Sequence, residues 1–555
     1  MMISRKKMLQ QFVSKNKPAI AAALSSAFLS SLCSVLLPLS IGSFYQIAFN
    51  ESSGKNELLA QLGVSMDSLS SFFVFFAVLT SLKGLLTWIE HISMRTLEER
   101  ITLDVRSSLF HSQMNHDFDA FHTRSAGKYL ARYSSDMLAI QQYVSKGIIK
   151  PIADGLFLIA AFLLLFQLNS NLSKALLFVF VAGSALMVLV SSLQKKPNEA
   201  RRNARSSLLG FIEQRLHAIS TIKVFNRAHP EELKFAKRNK KLYQSSIRFQ
   251  LYNGLNKALP QLIFFAAIGI LLYLSIQSEY KESASSSSVL IFILILLYLQ
   301  SVYKRLLRVP SLLASGATSF DNLMAVLNLP REIMHTHADQ KALRTNLSIQ
   351  IKDLSFEYSN ANPIFKNIDA HIRMGQTCRI EGKAGSGKST LLRLLLKLHG
   401  INRGHIFISE NEINDLGAHD LRKLMTTVSD DYPLLGNTIF EAISNSRKDA
   451  SRTVVAHTLI DLGLTNREAA ESYLNRRIYT TASDLSSAER RMLLFARAML
   501  TKKPIILLDE PFIGLNAENL RVVCEKLNRL KSTSIILIIA KEIPQELIID
   551  QQIQV

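Results

Sequence analysis

Cysteine is almost absent from this chain. Three occur in 555 residues, Cys33, Cys378 and Cys524, far apart and at no metal-ligand spacing. That excludes a disulfide framework and gives no support to a zinc site. Charge is missing from six runs, 18–50, 68–82, 155–173, 175–194, 258–278 and 283–303. Most approach the roughly 20 apolar residues that cross a bilayer as a helix. Six transmembrane helices are therefore expected. The first run is too long for a secretory signal, and no small-residue cleavage site clearly ends it.

Positive charge is also missing where it is most informative. One set of short connections holds only Lys55, then none in 169–173, then Lys281. The basic residues crowd two long segments instead, Arg95–Lys150 and Lys195–Lys257. This asymmetry places both termini and both long segments in the cytoplasm, with the protein in the cytoplasmic membrane. The net charge of +21 is then mostly a topology signal and an attraction to anionic headgroups of the lipid bilayer. No nucleic-acid partner is expected.

The two basic segments lack Gly/Pro clusters and space their apolar residues helically, as in Leu97, Ile101, Leu103 and Leu109. The spans should continue as rods beyond the membrane. Turns are expected near Asn115 to Gly127 and near Phe225 to Phe235, where Pro230 would start a short helix. The serine run Ser283 to Ser288 fits an outer loop. Within the spans, Lys83 and Asp154 lie at similar depths, about 21–23 Å from the outer surface by helical rise. An ion pair or a shared polar patch between them is expected, or Lys83 reaches the inner headgroups.

The C-terminal part reads differently. Strand-like alternation begins at Leu347, after a polar linker over 331–346. Gly382-Lys383-Ala384-Gly385-Ser386-Gly387-Lys388-Ser389, followed by Thr390, fits a phosphate-binding loop. The glycines let backbone N–H groups turn inward around a polyphosphate. Lys388 supplies charge, Ser389 offers a hydroxyl to Mg²⁺, and the following helix points its positive end at the anion. A strand, Thr377–Glu381, precedes the loop. A second apolar strand, Ile505–Leu508, ends in Asp509-Glu510. Asp509 would hold Mg²⁺ through water, and Glu510 would orient or deprotonate an attacking water.

With these residues the chain resembles an ABC exporter half-transporter over essentially its whole length. The resemblance implies an all-α six-helix transmembrane domain with long cytoplasmic helical extensions (1–330), a linker (331–346) and an α/β P-loop ATP-binding cassette (347–555). It makes Tyr358 the adenine platform. It places Ser486-Ser487-Ala488 and Glu489 where the family carries its Ser-Gly-Gly-Gln signature, which contacts the ATP of the opposing cassette. Asp430 stands where the family carries Gln and becomes a candidate Mg²⁺ ligand. Asn516 stands for an Asp, and Lys541 for the histidine that contacts the γ-phosphate. The two turns become coupling helices.

The implied activity is ATP- and Mg²⁺-dependent export of an unidentified substrate by one half of a dimer. The altered signature favours a heterodimer with a complementary second half over a homodimer. It also leaves open a half that binds ATP and hydrolyses it weakly. Ala488 adds a Cβ where glycine lets the backbone approach the phosphate, and Glu489 adds a negative charge near an anion.

Overall fold

The computed structural model describes residues 5–49, 68–122, 126–276, 286–333, 346–358, 363–401, 403–447, 449–478 and 484–555. Of the expected features, Lys55, Lys281, residues 283–285 of the serine run, 123–125 of the first turn and 334–345 of the linker lie outside them. The chain forms two compact units. One comprises residues 1–110 and 126–328, the other 111–125 and 329–555.

The first unit is helical. Among the described residues, six helices are long and apolar enough to cross a membrane, Lys17–Tyr45, Leu69–Met114, Ser135–Leu168, Ser170–His217, Ala228–Ile276 and Val289–Leu327. Three of them run for 46, 48 and 49 residues. At the helical rise they are about 70 Å long, more than twice the hydrocarbon thickness of a bilayer. The expected rods are therefore present. Their core packs Phe157, Leu165, Leu172, Phe180, Phe264 and Phe292. Two helices approach closely at Gly183, where an added Cβ would lie 2.7 Å from Ile263 Cδ1.

Two expectations need correction in this unit. Lys83 and Asp154 do not pair. Lys83 Nζ sits 4.4 Å from the Tyr298 ring centre and donates to the Tyr298 hydroxyl at 3.3 Å. Asp154, 1% exposed, accepts two bonds from Arg305 at 2.8 and 2.7 Å. Glu90 pairs with Lys150. Second, Pro230 does not begin the short helix of the second turn. That helix, Ile219–Val224, comes earlier, and Pro230 lies in the first turn of the long helix Ala228–Ile276. Proline is tolerated there because its missing N–H would have had no intrahelical partner.

The second unit is α/β. Four strands form an antiparallel sheet in the order β2-β1-β4-β5: β1 Ser348–Phe356, β2 Phe365–Arg373, β4 Arg403–Ile408 and β5 Asn411–Glu412. Five form a parallel sheet in the order β6-β7-β8-β3-β9: β3 Thr377–Glu381, β6 Met425–Val428, β7 Ile505–Asp509, β8 Ile535–Ile539 and β9 Gln551–Gln554. β7 and β8 are buried almost throughout, which explains their unbroken Ile/Leu composition.

The described residues 111–122 pack with this unit, although they belong to the connection between the second and third spans. Asn115, His116 and Asp117 meet Pro330, Arg331 and Glu332 as a short antiparallel bridge. Asp117 N donates to Pro330 O and Glu332 N to Asn115 O, both at 3.0 Å. Glu332 accepts two bonds from Arg422, each 2.9 Å, and Arg422 also donates to Leu396 O and Lys397 O. The short helix Phe118–His122 follows.

Candidate functional site

Parallel strands point the same way, so their C-terminal ends collect the loops that follow them. In the β7–β8 ladder Asp509 lies opposite Ile539, and in β6–β7 Val428 lies opposite Leu508. The segments after β3, β6, β7 and β8 therefore emerge along one edge. These are the segments that carry Gly382–Thr390, Asp430, Glu510 and Lys541.

After β3 the chain turns through Gly382, Gly385 and Gly387, all at positive φ. Gly382 and Gly387 both leave no room for a side chain. At Gly387, with φ +98°, a Cβ would lie 2.3 Å from Ile364 Cγ2 and 2.8 Å from Phe365 Cδ1. The helix Lys388–Leu395 starts at once. Lys388 Nζ folds over the loop, donating to Gly382 O at 2.8 Å and Lys383 O at 2.9 Å. Ser386 Oγ is buried and meets no hydrogen-bond partner among the described residues. A ring of backbone donors, an ammonium and an orphaned hydroxyl in one loop fit a polyphosphate.

Tyr358 is the residue expected to carry the base. Its ring is half-buried and packs edge-on to Phe356 at 4.9 Å and to His399 at 5.2 Å. Its hydroxyl lies 3.2 Å from Thr390 Oγ1, on the phosphate-loop helix.

Acidic groups gather opposite. Burial raises the Asp509 carboxyl above its ordinary range. The neighbouring carboxylates of Asp431 and Glu510 add to this, and a hydrogen bond from Ser389 opposes it. A divalent cation fits there. Ser389 and Asp509 already meet, and a cation would relieve the crowding of negative charge. Glu510 adopts φ +47°, a sparsely populated conformation for a residue with a Cβ. Its N–H bonds to Ile539 O at 2.7 Å, and its carboxylate accepts from Lys541 N at 3.3 Å. Arg379 on β3 donates to Lys541 O at 3.2 Å. The structure thus brings Glu510 and Lys541 together through backbone contacts.

Asp430 is placed differently from its neighbours. Its carboxylate pairs with Arg491 at 2.6 Å, on the helix Ser487–Leu500. Asp431 pairs with Arg393 at 2.7 Å and is the member of the doublet whose charge bears on Asp509. The acidic doublet is visible in the sequence; which member faces β7 is not.

Ser486 caps the helix Ser487–Leu500, its Oγ accepting from Glu489 N at 3.1 Å. The Glu489 carboxylate turns away to accept from Tyr473 Oη and Arg476 Nη1, both at 2.7 Å. Its charge is therefore compensated within the chain. Sequence reasoning missed Arg476, Arg379 and Arg491, because none lies in a motif. Asn516 caps the helix Ala517–Lys531 through Asn519 N at 2.8 Å.

Known proteins resemble this chain along most of its length. The ABC transporter transmembrane region matches residues 20–303, and the ABC transporter family matches 365–513. An ATP-dependent lipid A-core flippase of Mannheimia succiniciproducens is 24% identical over 479 residues, covering 85% of this chain and 82% of that protein. One from Syntrophus aciditrophicus is 25% identical over 470 residues, covering 82% and 76%. A solved bacterial Atm1-family ABC exporter with ATP bound superposes with a TM-score of 0.78 at 17% identity, covering 95% of this chain and 91% of that one.

Proposed function

The chain belongs to the ABC transporter family, and on that premise we propose that it is one half of a dimeric exporter that uses ATP to move an amphipathic, lipid-like substrate across the cytoplasmic membrane. The observation that carries the reading is the convergence of Gly382–Thr390, Asp509, Glu510 and Lys541 at one sheet edge in a chain that also holds six candidate spans.

In this reading Tyr358 stacks on the adenine. Gly382, Lys383, Ala384, Gly385, Ser386 and Gly387 wrap the phosphates with backbone N–H groups, with Lys388 and Thr390 at their rim. Ser389 and Asp509 would hold Mg²⁺, which neutralises phosphate charge when bound. Asp430 can join only by leaving Arg491. Glu510, tethered to the Lys541 backbone, orients the attacking water and accepts its proton. Lys541 offers a cation to the γ-phosphate and, unlike neutral imidazole, no acceptor. Ser486, Ser487 and Ala488 present their helix N-terminus to the ATP of the opposing half.

The relatives' names support a lipid substrate. Lys83 adds to this, since among the described residues it meets an aromatic ring and a hydroxyl but no carboxylate. Such an intramembrane cation suits an anionic headgroup. The favoured partner is a different half with glycines in its signature. A homodimer is the second reading, supported by the compensation of Glu489 by Arg476.

The test is reconstitution in vesicles. Lys388→Ala should abolish ATP-dependent lipid translocation, and Glu510→Gln should retain nucleotide binding while cutting hydrolysis about 100-fold or more. Unchanged ATP binding in Lys388→Ala overturns the reading.

A further inference from the structure

We propose that His399 is a positioning residue that ties the nucleotide-base platform at Tyr358 to the segment connecting the second and third spans. The link rests on the reading of Tyr358 as that platform.

His399 is 6% exposed and lies just beyond the phosphate-loop helix. Its ring is wedged edge-on against Tyr358 at 5.2 Å and Phe118 at 5.6 Å, with Phe356 at 6.0 Å. Nδ1 lies 2.5 Å from Asp119 Oδ1, a bond that joins residues 280 apart in sequence. Nε2 is buried and meets no hydrogen-bond partner among the described residues. The imidazole thus has one polar tether, and that tether runs to the connecting segment. Its apolar contacts run to the base platform. Tyr358 is in turn joined to the phosphate-loop helix through Thr390.

The segment is anchored on its other side as well. Asn115 and Asp117 bond to Glu332 and Pro330, and Glu332 is gripped by Arg422, which also holds the carbonyls at the end of the phosphate-loop helix. A close-packed interior does not absorb a ring displacement locally. When a purine face re-seats Tyr358, the His399 ring edge must follow, and the Asp119 bond passes that shift to the helix Phe118–His122. Linkage makes the effect reciprocal, so loss of Asp119 must change affinity for the nucleotide it never touches.

Reciprocity sets the experiment. Equilibrium binding of ATP and of tripolyphosphate, which has no base, is measured on the full-length protein in nanodiscs. Asp119→Ala is expected to weaken ATP binding about three- to tenfold and to leave tripolyphosphate binding unchanged. His399→Leu should match it, the double variant should lose no more than either single one, and His399→Gln, whose amide can still donate to Asp119, should restore ATP binding. ATP affinity unchanged in Asp119→Ala, or losses that multiply in the double variant, overturns the link. Tyr358→Ala separates the two readings. If it leaves ATP affinity unchanged, the platform assignment fails and takes the link with it; if it weakens ATP while Asp119→Ala does not, only the link fails. Should His399→Leu lose tripolyphosphate as well, it has misfolded, and Asp119→Ala, at a half-exposed position, decides alone.

Discussion

Arg491 carries a guanidinium into the interior of the C-terminal unit, where its side chain is 4% exposed. Its charge is met by Asp430, whose side chain is 53% exposed. Removing one partner of a fully buried pair costs about 3–5 kcal/mol. Solvent reaches Asp430, so a smaller loss of about 1–3 kcal/mol is expected for Asp430→Ala. The double variant Asp430→Gln/Arg491→Gln should recover most of it, because no unpaired charge remains. Unfolding midpoints of the wild type and these two variants check this, and a double variant no more stable than Asp430→Ala would show that the pair is not coupled. Neither partner was legible as such. Asp430 was found only because it stands where the family carries Gln, and its partner lies 61 residues on, at a helix position no motif marks. The same limit explains Lys83 and Asp154. Hydropathy gives the depth of a charge within a span, while its direction around the helix axis is set by packing. At equal depth Lys83 met Tyr298 and Asp154 met Arg305.

At the scale of single elements, the phosphate loop and its helix were readable because each residue type has a local reason. Gly387 has two. Its φ of +98° disfavours any Cβ, and the space beside it is filled by Ile364 and Phe365. Gly387→Ala should therefore cost about 1–3 kcal/mol and weaken ATP binding at least tenfold. Gly385 shares the backbone strain at φ +82° but has open space around it, so Gly385→Ala should cost about half as much or less. Titration with a fluorescent nucleotide ranks the two, and equal losses would refute the steric argument. The helix Phe118–His122 offers a pH test. Burial raises the Asp117 carboxyl above its ordinary 3.8, and the charges of Asp119 and Glu332 raise it further. The folded state then holds this proton more tightly than the unfolded chain. Stability contributed by Asp117 is largest at low pH and declines as pH rises from 3.8 through the raised value. Asp117→Asn, which keeps an acceptor for the backbone N–H groups of Phe118 and Asp119, should raise the melting midpoint at pH 7 and lose that advantage on acidification toward pH 4. A constant difference across the range would exclude the charge as its cause. The second turn was less legible, because Pro230 suits a short helix and the first turn of a long one equally well.

For the whole molecule, six uncharged runs sufficed to find six spans, since the hydrocarbon core tolerates few charges over the stretch of helix that crosses it. Number and state of partners are not written so plainly, because a signature acts on another copy's nucleotide. Two opposing facts bear on it. Ala488 still adds a Cβ at the helix N-terminus, while Glu489 is paired with Arg476. Lys541 lies beside Glu510 within the chain, so in the proposed reading no partner can replace it. We therefore expect the purified chain alone to hydrolyse ATP slowly, and Ser487→Gly/Ala488→Gly to raise its rate only a few-fold. Co-purification with a second half bearing an intact Gly-Gly signature should raise it further, by acting on this chain's Lys388–Glu510 site. Glu510→Gln must then remove most of the gain, about 100-fold at a site where a general base is lost. Brisk turnover by the lone chain would assign a working homodimer and make the Glu489–Arg476 pair the feature that preserves it. Arg476→Met would decide the matter from the other side. In a homodimer it exposes the Glu489 charge at both sites and should slow turnover several-fold; in the heterodimer it touches only the site that is already slow.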